Sequence, residues 1–452
     1  MDDHADVVVL GMGPGGEEVA GKLAEAGLDV VGIEHRLLGG ECPYWGCVPS
    51  KMMIRAGNLL GEARRIPGMA GTSTVTPDWA PVAKRIREEA TDSWDDRVAV
   101  ERYEGKGGRF VRGTGRIEAS DRVRVGDDTY SARRALVIAT GTEAVVPPIP
   151  GLADVPYWIN RDAIETEHVP ESLLVLGGGA IGLELAQVFA RFGSHVTVIE
   201  AADRILSLEE PEASALLTDV LSREGLDIRT GAAAKQVSAA GDAIEVTLSD
   251  GSSVRGNHLL VATGRRANLR AINAANAGVD EEARWIKVDA TLRVAPGVWA
   301  VGDVTGEGVF THVAMYQADI CVADILGHDP VHAEYRALPR VTFTDPEVGA
   351  TGLTEAQARE RGVSVRTGTS KVSVSARGWI HKAGNDGFIK LVEDTQRGVL
   401  VGATSAGPVG GEVLSMLTLA VHAQIQVETL RHMIYAYPTF HRGVEDALRE
   451  LR

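Results

Sequence analysis

Val7-Val8-Val9-Leu10 runs straight into Gly11-Met12-Gly13-Pro14-Gly15-Gly16, and Leu173-Leu174-Val175-Leu176 runs into Gly177-Gly178-Gly179-Ala180-Ile181-Gly182. Each apolar run predicts a buried strand feeding a glycine turn. Each turn leads to an amphipathic helix, about Glu17 to Ala26 and Leu183 to Phe192, and then to a second strand, Asp29–Glu34 or His195–Glu200. Glu34 and Glu200 each follow the last glycine of their copy by 18 positions. A lone glycine fingerprint says little. Strand, turn, helix, strand and terminal glutamate, all present twice, predict two dinucleotide-binding units. The plainer reading, two turns that merely link elements of a sheet, needs chance to repeat the whole pattern.

The chemistry explains the residue types. Gly11 and Gly177 allow the tight turn, Gly13 and Gly179 let backbone N–H groups approach a pyrophosphate, and Gly16 and Gly182 let helix pack on strand. The helix N-terminus then faces the phosphates. Glu34 and Glu200 are placed to accept hydrogen bonds from an adenosine ribose. Leu136-Val137-Ile138-Ala139-Thr140-Gly141 and Leu259-Leu260-Val261-Ala262-Thr263-Gly264 are a second matched pair, read as the strands by which the chain leaves each unit. Gly141 and Gly264 therefore join the candidate cofactor-binding positions. The alternating, charge-rich stretch between Glu104 and Tyr130 predicts a small antiparallel excursion. From Tyr335 onward the composition is mixed and carries no nucleotide signal, which predicts a third domain.

The 452 residues carry a net charge of −16 without a Lys/Arg-rich block. Nucleic acid and anionic membrane both need clustered positive charge, so small molecules are the expected partners. No apolar run reaches the ~18 residues of a membrane span. The acidic start, Asp2-Asp3-His4-Ala5-Asp6, is unlike a secretory leader, and a cytoplasmic location is expected.

Three cysteines cannot form a disulfide scaffold, and Cys42 and Cys47 stand close together while Cys321 is alone. Residues five apart on an ideal helix have Cα atoms roughly 8.6 Å apart, beyond the ~7 Å limit for a disulfide. Pro43, Gly46 and Pro49 are the residues expected to distort that turn. Redox chemistry is favoured; two inert buried thiols, or a metal site, are the alternatives. No second Cys or His pair has ligand spacing, so no metal is expected.

With Gly39-Gly40-Glu41-Cys42-Pro43-Tyr44-Trp45-Gly46-Cys47-Val48-Pro49-Ser50-Lys51 on the page, the chain resembles the flavoprotein disulfide reductases, the group of glutathione reductase, dihydrolipoyl dehydrogenase and mercuric reductase. The likeness extends to Gly302-Asp303, Thr311-His312-Val313-Ala314 and Phe343-Thr344-Asp345-Pro346-Glu347. It implies an α/β protein with two Rossmann-like dinucleotide-binding domains and an α+β C-terminal dimerisation domain. The implied boundaries are 1–153 with 272–334 for FAD, 154–271 for NAD(P), and 335–452 for a homodimer interface. It implies FAD on Gly11, Gly13, Gly16, Glu34 and Asp303, and NAD(P)H on Gly177, Gly179, Gly182 and Glu200. Cys47 is implied to face the flavin and Cys42 to attack the substrate, with Lys51 and Glu184 as an ion pair near the flavin ring. An ordinary helix-face salt bridge is the alternative for that pair. A carboxylate at the ribose repels a 2′-phosphate, so Glu200 favours NADH over NADPH, although Arg204 lies near enough to moderate this.

The resemblance breaks at the C-terminus. Where the thiol-exchanging members have His-Pro-Thr and then Glu, this chain has Tyr437-Pro438-Thr439 with Arg442 in the carboxylate's place. A phenol with a pKa of ~10 is a poor base at neutral pH. His441 falls one turn beyond Tyr437 if the stretch is helical, with Glu445 to orient it, but a shift of ~5 Å is more than general-base catalysis tolerates. No cysteine follows Cys321, which weighs against mercury reduction. Tyr44 and Trp45 select a flat acceptor or simply pack.

The leading expectation is an enzyme passing electrons from NADH through FAD to the Cys42–Cys47 disulfide and on to a disulfide substrate. The alternative is reduction of a quinone, a metal ion or another non-disulfide acceptor. A third reading is a non-catalytic redox sensor.

Overall fold

The structure is a computed structural model that describes residues 2–329 and 331–452. The chain forms two compact units. One comprises the chain up to Pro49, Lys84–Val145 and Gly264–Glu334; the other comprises Ser50–Ala83, Val146–Thr263 and Tyr335–Arg452.

In the first unit, strand β1 (Asp2–Leu10) leads to helix α1 (Pro14–Glu25) and strand β2 (Val30–Glu34). β1 lies parallel between β2, with Val7 opposite Val30, and the strand Asp128–Ile138, with Val8 opposite Leu136. Val298–Ala300 and Arg109–Arg112 extend the parallel sheet on either side. Both faces of β1 are covered. Val7 and Val9 pack with Val19, Leu23 and Trp299, whereas Val8 and Leu10 pack with Ile33, Leu136 and Val304. A parallel strand sandwiched in this way must be apolar at every position, which accounts for the unbroken run Val7 to Leu10. The antiparallel excursion is present as Gly115–Ala119, Arg122–Val125 and the start of Asp128–Ile138.

The second unit repeats the plan. Ser172–Leu176 lies parallel to His195–Ile199 on one side and His258–Val261 on the other. The residues from Tyr335 build an antiparallel sheet, in the order Pro339–Thr342, Glu347–Gly352, Val399–Gly407, Phe388–Asp394 and Val365–Lys371. The helix Gly410–His422 sends Leu414 and Leu417 into a core with Leu391, Leu400 and Val444. The architecture is thus the expected one, two parallel nucleotide-type sheets and an α+β C-terminal region. Among the described residues, no helix is long and apolar enough to cross a membrane.

The glycine-motif helices begin earlier than the apolar periodicity indicates. α1 starts at Pro14, after Gly13 in extended geometry, and its counterpart, Ala180–Arg191, starts after Gly179. The reason lies in the last glycine of each motif, which sits inside the first turn. A Cβ at Gly16 would lie 1.9 Å from the Gly11 carbonyl oxygen, and one at Gly182 would lie 2.3 Å from that of Gly177. Only glycine lets the helix start so close to the strand that precedes it.

Candidate active site

The two glutamates close their turns identically. Glu34 accepts hydrogen bonds from the Met12 N–H at 2.9 Å and the Arg36 N–H at 2.8 Å. Glu200 accepts from the Gly178 N–H at 2.6 Å and the Ala202 N–H at 2.7 Å. Each carboxylate therefore pins the middle of its glycine turn and the loop after its own strand, and keeps lone pairs for a ribose. Burial pushes the Glu34 carboxyl up, but His35 and the Arg36 and Met12 amides outweigh it, so its pKa is lowered. Gly11 (φ +95) and Gly177 (φ +108) occupy left-handed geometry with no room for a side chain: a Cβ would lie 2.5 Å from the Ala139 oxygen and 2.4 Å from that of Ala262.

Gly11, Glu34 and Gly141 line an open cleft of about 650 Å³ in the first unit. Nearby, Asp303 follows the strand Val298–Ala300 at a turn held from behind. Buried Gln317 accepts from the Gly302 N–H at 2.6 Å and donates to the Thr305 hydroxyl at 3.1 Å. The Thr142 hydroxyl accepts from Arg265 at 2.8 Å and lies 3.4 Å from the Asp303 carboxylate. Burial pushes the Asp303 carboxyl up to about 6, against the opposing pull of Arg265 and Thr142. These residues fit FAD. A Cβ at Gly13 would meet nothing nearer than the Gly40 Cα at 4.0 Å, so a phosphate has room at the start of α1, and Asp303 has acceptor capacity for a polyol.

The sign of the Asp303 shift carries a prediction. An acid with a raised folded pKa is better protonated in the folded state, so its contribution to stability is present at low pH and lost as pH rises from the usual 3.8 through about 6. Asp303→Asn is expected to raise the thermal midpoint of the FAD-free protein above neutrality, not in mild acid, while weakening FAD retention. Equal midpoint shifts at both pH values would count against this.

Helix α2 (Glu41–Tyr44) carries Cys42, and helix α3 (Cys47–Arg65) begins on Cys47. The chain breaks at Trp45 and Gly46. Pro43 and Pro49 each occupy the third position of their helix, where the missing N–H has no intrahelical partner to lose. The prolines are thus tolerated and the Trp45-Gly46 link makes the break. Both cysteines are reduced thiols, Cys42 half-buried and Cys47 exposed. The Thr311 hydroxyl lies 3.3 Å from the Cys47 sulfur. The hydrogen bond with Cys47 and then burial hold the Cys42 thiol well above the usual range, with Thr311 opposing. Tyr44 and Trp45 are buried, their ring centroids 5.8 Å apart, in keeping with the packing alternative.

In the second unit, Lys51 Nζ donates to Glu184 at 2.9 Å and lies 4.5 Å from the Phe343 ring centroid. The other Glu184 oxygen accepts from the Phe343 N–H at 2.8 Å, so both oxygens of this buried carboxylate are engaged. Arg204 donates to the backbone carbonyls of Leu206, Ser207 and Glu209. Its guanidinium is anchored to its own loop.

Tyr437 is 69% exposed, and the Arg442 guanidinium lies 5.3 Å from its ring centroid. Residues 437–442 are turns, not a helix, so the geometry that would set His441 one helical turn from Tyr437 does not form. The His441 ring lies 6.3 Å from that of buried Tyr435. Glu445 binds Arg442 at 3.0 Å and also Arg449, so the carboxylate envisaged for His441 serves arginines. Sequence reasoning missed Thr142, Arg265 and Gln317 altogether and saw Thr311 only as part of a matching stretch.

Two dinucleotide folds, a dithiol at a broken helix and an acid on a glycine turn define a flavin- and pyridine-nucleotide-type redox protein. Residues 5–318 match the family model of pyridine nucleotide-disulphide oxidoreductases, and residues 338–448 match the dimerisation domain of the same family. The chain belongs to this family of flavoproteins, and the second match supports a homodimer. It is 33% identical to a mercuric reductase of Acidithiobacillus ferrooxidans, over 97% of this chain and 81% of that protein. It is 32% identical to a dihydrolipoyl dehydrogenase of Thermus scotoductus, over 99% and 97%. Among solved structures it is similar to the Cu(II) complex of the HOCl-induced flavoprotein disulfide reductase RclA from Escherichia coli, with 26% identity, a TM-score of 0.87 and 99% of both chains covered.

Proposed function

We propose that this protein uses NADH to reduce a disulfide substrate through Cys42 and Cys47. The observation that carries this reading is the thiol pair itself: two hydrogen-bonded sulfurs at a helix break, with Cys42 on the wall of an open cleft. Bound FAD would supply the two-electron chemistry that links a nicotinamide to the sulfur couple. Gly11, Gly13, Gly16, Glu34 and Asp303 hold it, with Gly141 at the rim of the cleft. Gly177, Gly179, Gly182 and Glu200 hold the nicotinamide dinucleotide, with Gly264 at the end of that unit's exit strand. Reduced thiols and a pyridine-nucleotide supply suit a cytoplasmic setting.

The preference for NADH rests on two residues. Glu200 presents a carboxylate at the ribose, and Arg204 is spent on three carbonyls of its own loop, not held ready for a 2′-phosphate. NADH is expected to exceed NADPH in kcat/KM by about tenfold or more, the worth of one unmet charged hydrogen bond. The test of the whole reading is anaerobic titration with NADH, watching for long-wavelength thiolate-to-flavin absorbance, followed by turnover with panels of disulfides, quinones and metal ions. No disulfide turnover, with brisk reduction of another acceptor, would sink it.

A second reading, reduction of a metal ion, draws on the C-terminal turn, where Tyr437 beneath Arg442 stands in place of a histidine base, and on the likeness to a flavoprotein solved with Cu(II). An acceptor that releases no thiolate needs no such base. Under either reading Tyr437→Phe is expected to change turnover by less than about twofold, because a neutral phenol offers no basic site to take a proton. A large fall in turnover with unchanged flavin bleaching would give Tyr437 a chemical role.

A further inference from the structure

A cleft of about 1080 Å³ in the first unit has Cys42 on its wall. Four carboxylates line it, Glu17 and Glu18 from α1 and Asp92 and Asp95 from the segment opposite, against one lining cation, Arg102. The opposite wall has an unusual backbone. A π-helical turn, Ile86–Ala90, is followed by Asp92, Ser93 and Trp94, all with positive φ, at 48, 58 and 58 degrees. Successive left-handed residues other than glycine are costly and persist only where the surroundings impose them. Here they carry Asp92 and Asp95 to the cleft.

The cations facing these carboxylates offset them only in part. Arg102 pairs with Glu17, and Lys22 is shared between Glu18 and Asp319. Arg97 gives Asp95 its backbone N–H at 2.9 Å, with the guanidinium at 4.0 Å. Asp92 and Asp319 tip the surroundings negative. Tyr44 is also on the wall, and burial first, then Asp96 and Glu17, push its phenol up to about 12 against the pull of Arg102.

We propose that this cleft selects a cationic disulfide, one bearing ammonium groups near the sulfurs, and repels polycarboxylate disulfides such as those of acidic thiols. The proposal rests on the disulfide reading above and names the substrate class for the same thiols. It also accounts for the C-terminal turn. In the exchange, the Cys42 thiolate attacks one substrate sulfur, the S–S bond breaks, and a thiolate leaves. Cys47 then attacks the Cys42 sulfur, the second thiolate leaves, and the Cys42–Cys47 disulfide forms. The two protons of the dithiol end on the two product thiols, and the dithiol's two electrons are those replaced from NADH. A neighbouring ammonium lowers the pKa of the leaving thiol, and a thiol of lower pKa leaves faster. A substrate of this class has least need of the histidine acid that Tyr437 replaces.

The experiment uses the FAD-loaded enzyme with NADH and three disulfides: cystamine (dication), bis(2-hydroxyethyl) disulfide (neutral) and dithiodipropionate (dianion). The expected order of kcat/KM is cation, neutral, anion, spanning about tenfold or more at low salt and compressed at high salt, where the Debye length falls to ~3 Å. Independently of turnover, Cys42 in the reduced protein, located by mass spectrometry, should react about tenfold faster with a cationic methanethiosulfonate than with an anionic one. In Glu18→Gln with Asp92→Asn and Asp95→Asn, both charge ratios should fall to those the same reagents show with a small neutral thiol in solution. If that variant does not fold, the salt series on the unaltered protein decides. A flat or reversed order, in turnover or in labelling, overturns the charge selection and leaves the disulfide reading standing. Failure to reduce any of the three disulfides overturns both.

Discussion

Cys42→Ser is expected to lower disulfide turnover by about a thousandfold or more while NADH still bleaches the flavin, because a hydroxyl at neutral pH is almost never ionised and cannot enter thiol–disulfide exchange. The asymmetry follows from the roles the family resemblance implies, Cys42 toward substrate and Cys47 toward flavin. Cys42 is on the wall of the open cleft, whereas Cys47 begins α3 and lies 3.3 Å from the Thr311 hydroxyl. The variant keeps Cys47 and should retain the long-wavelength band of a thiolate beside oxidised flavin. Cys47→Ser should lose both the band and the turnover. Stopped-flow absorbance with steady-state assays on both variants separates the roles. Equal loss of band and turnover in the two would mean that the sulfurs have no division of labour.

The second large effect concerns the backbone. Gly16→Ala is expected to yield protein that is colourless or aggregated, since its Cβ would lie 1.9 Å from the Gly11 carbonyl oxygen and 3.1 Å from the Ala139 Cβ. Neither neighbour is the end of a flexible side chain. Forcing them apart costs about 3 kcal/mol or more and moves the turn on which the pyrophosphate site depends. Gly13→Ala is the informative contrast. Its Cβ would meet nothing closer than the Gly40 Cα at 4.0 Å, so the protein should fold with an unchanged melting temperature. The methyl would instead occupy space meant for phosphate, weakening FAD retention by about tenfold or more, the worth of one charge-assisted hydrogen bond. Gly182→Ala and Gly179→Ala should repeat the pattern for NADH. Measuring melting temperature and cofactor affinity on all four variants checks this. A colourful, stable Gly16→Ala protein would refute the packing argument.

Where information about a site is local in the chain, it was legible before any coordinates. The glycine spacing and the glutamate 18 residues beyond it are set locally by strand, turn and helix, so Glu34 and Glu200 could be named as ribose acceptors, whereas their hold on the glycine turns emerged only from the structure. The broken helix at the cysteines was legible for the same reason, although the break falls at Trp45-Gly46 and the prolines are merely accommodated. What was not legible depends on residues brought together from far apart. Thr142, Arg265 and Asp303 are adjacent because the loops after different strands converge, and no periodicity marks a threonine or an arginine for that purpose. Arg204 read as a candidate for a 2′-phosphate from its position alone, and its attachment to three carbonyls emerged only from the path of its loop.

From its order of residues alone, this protein's family, its two nucleotide folds, the closely spaced Cys42 and Cys47 and the loss of the usual histidine were all determined, because each is written in short-range spacing or residue identity. Tertiary structure alone decided the rest. It assigned Glu445 to arginines and not to His441, gave Thr311 to the sulfurs, and ranged four carboxylates around the cleft beside Cys42. Those outcomes depend on which helix faces which across a packed interior, and the distances between side chains that set charge and reactivity exist only once that packing is complete.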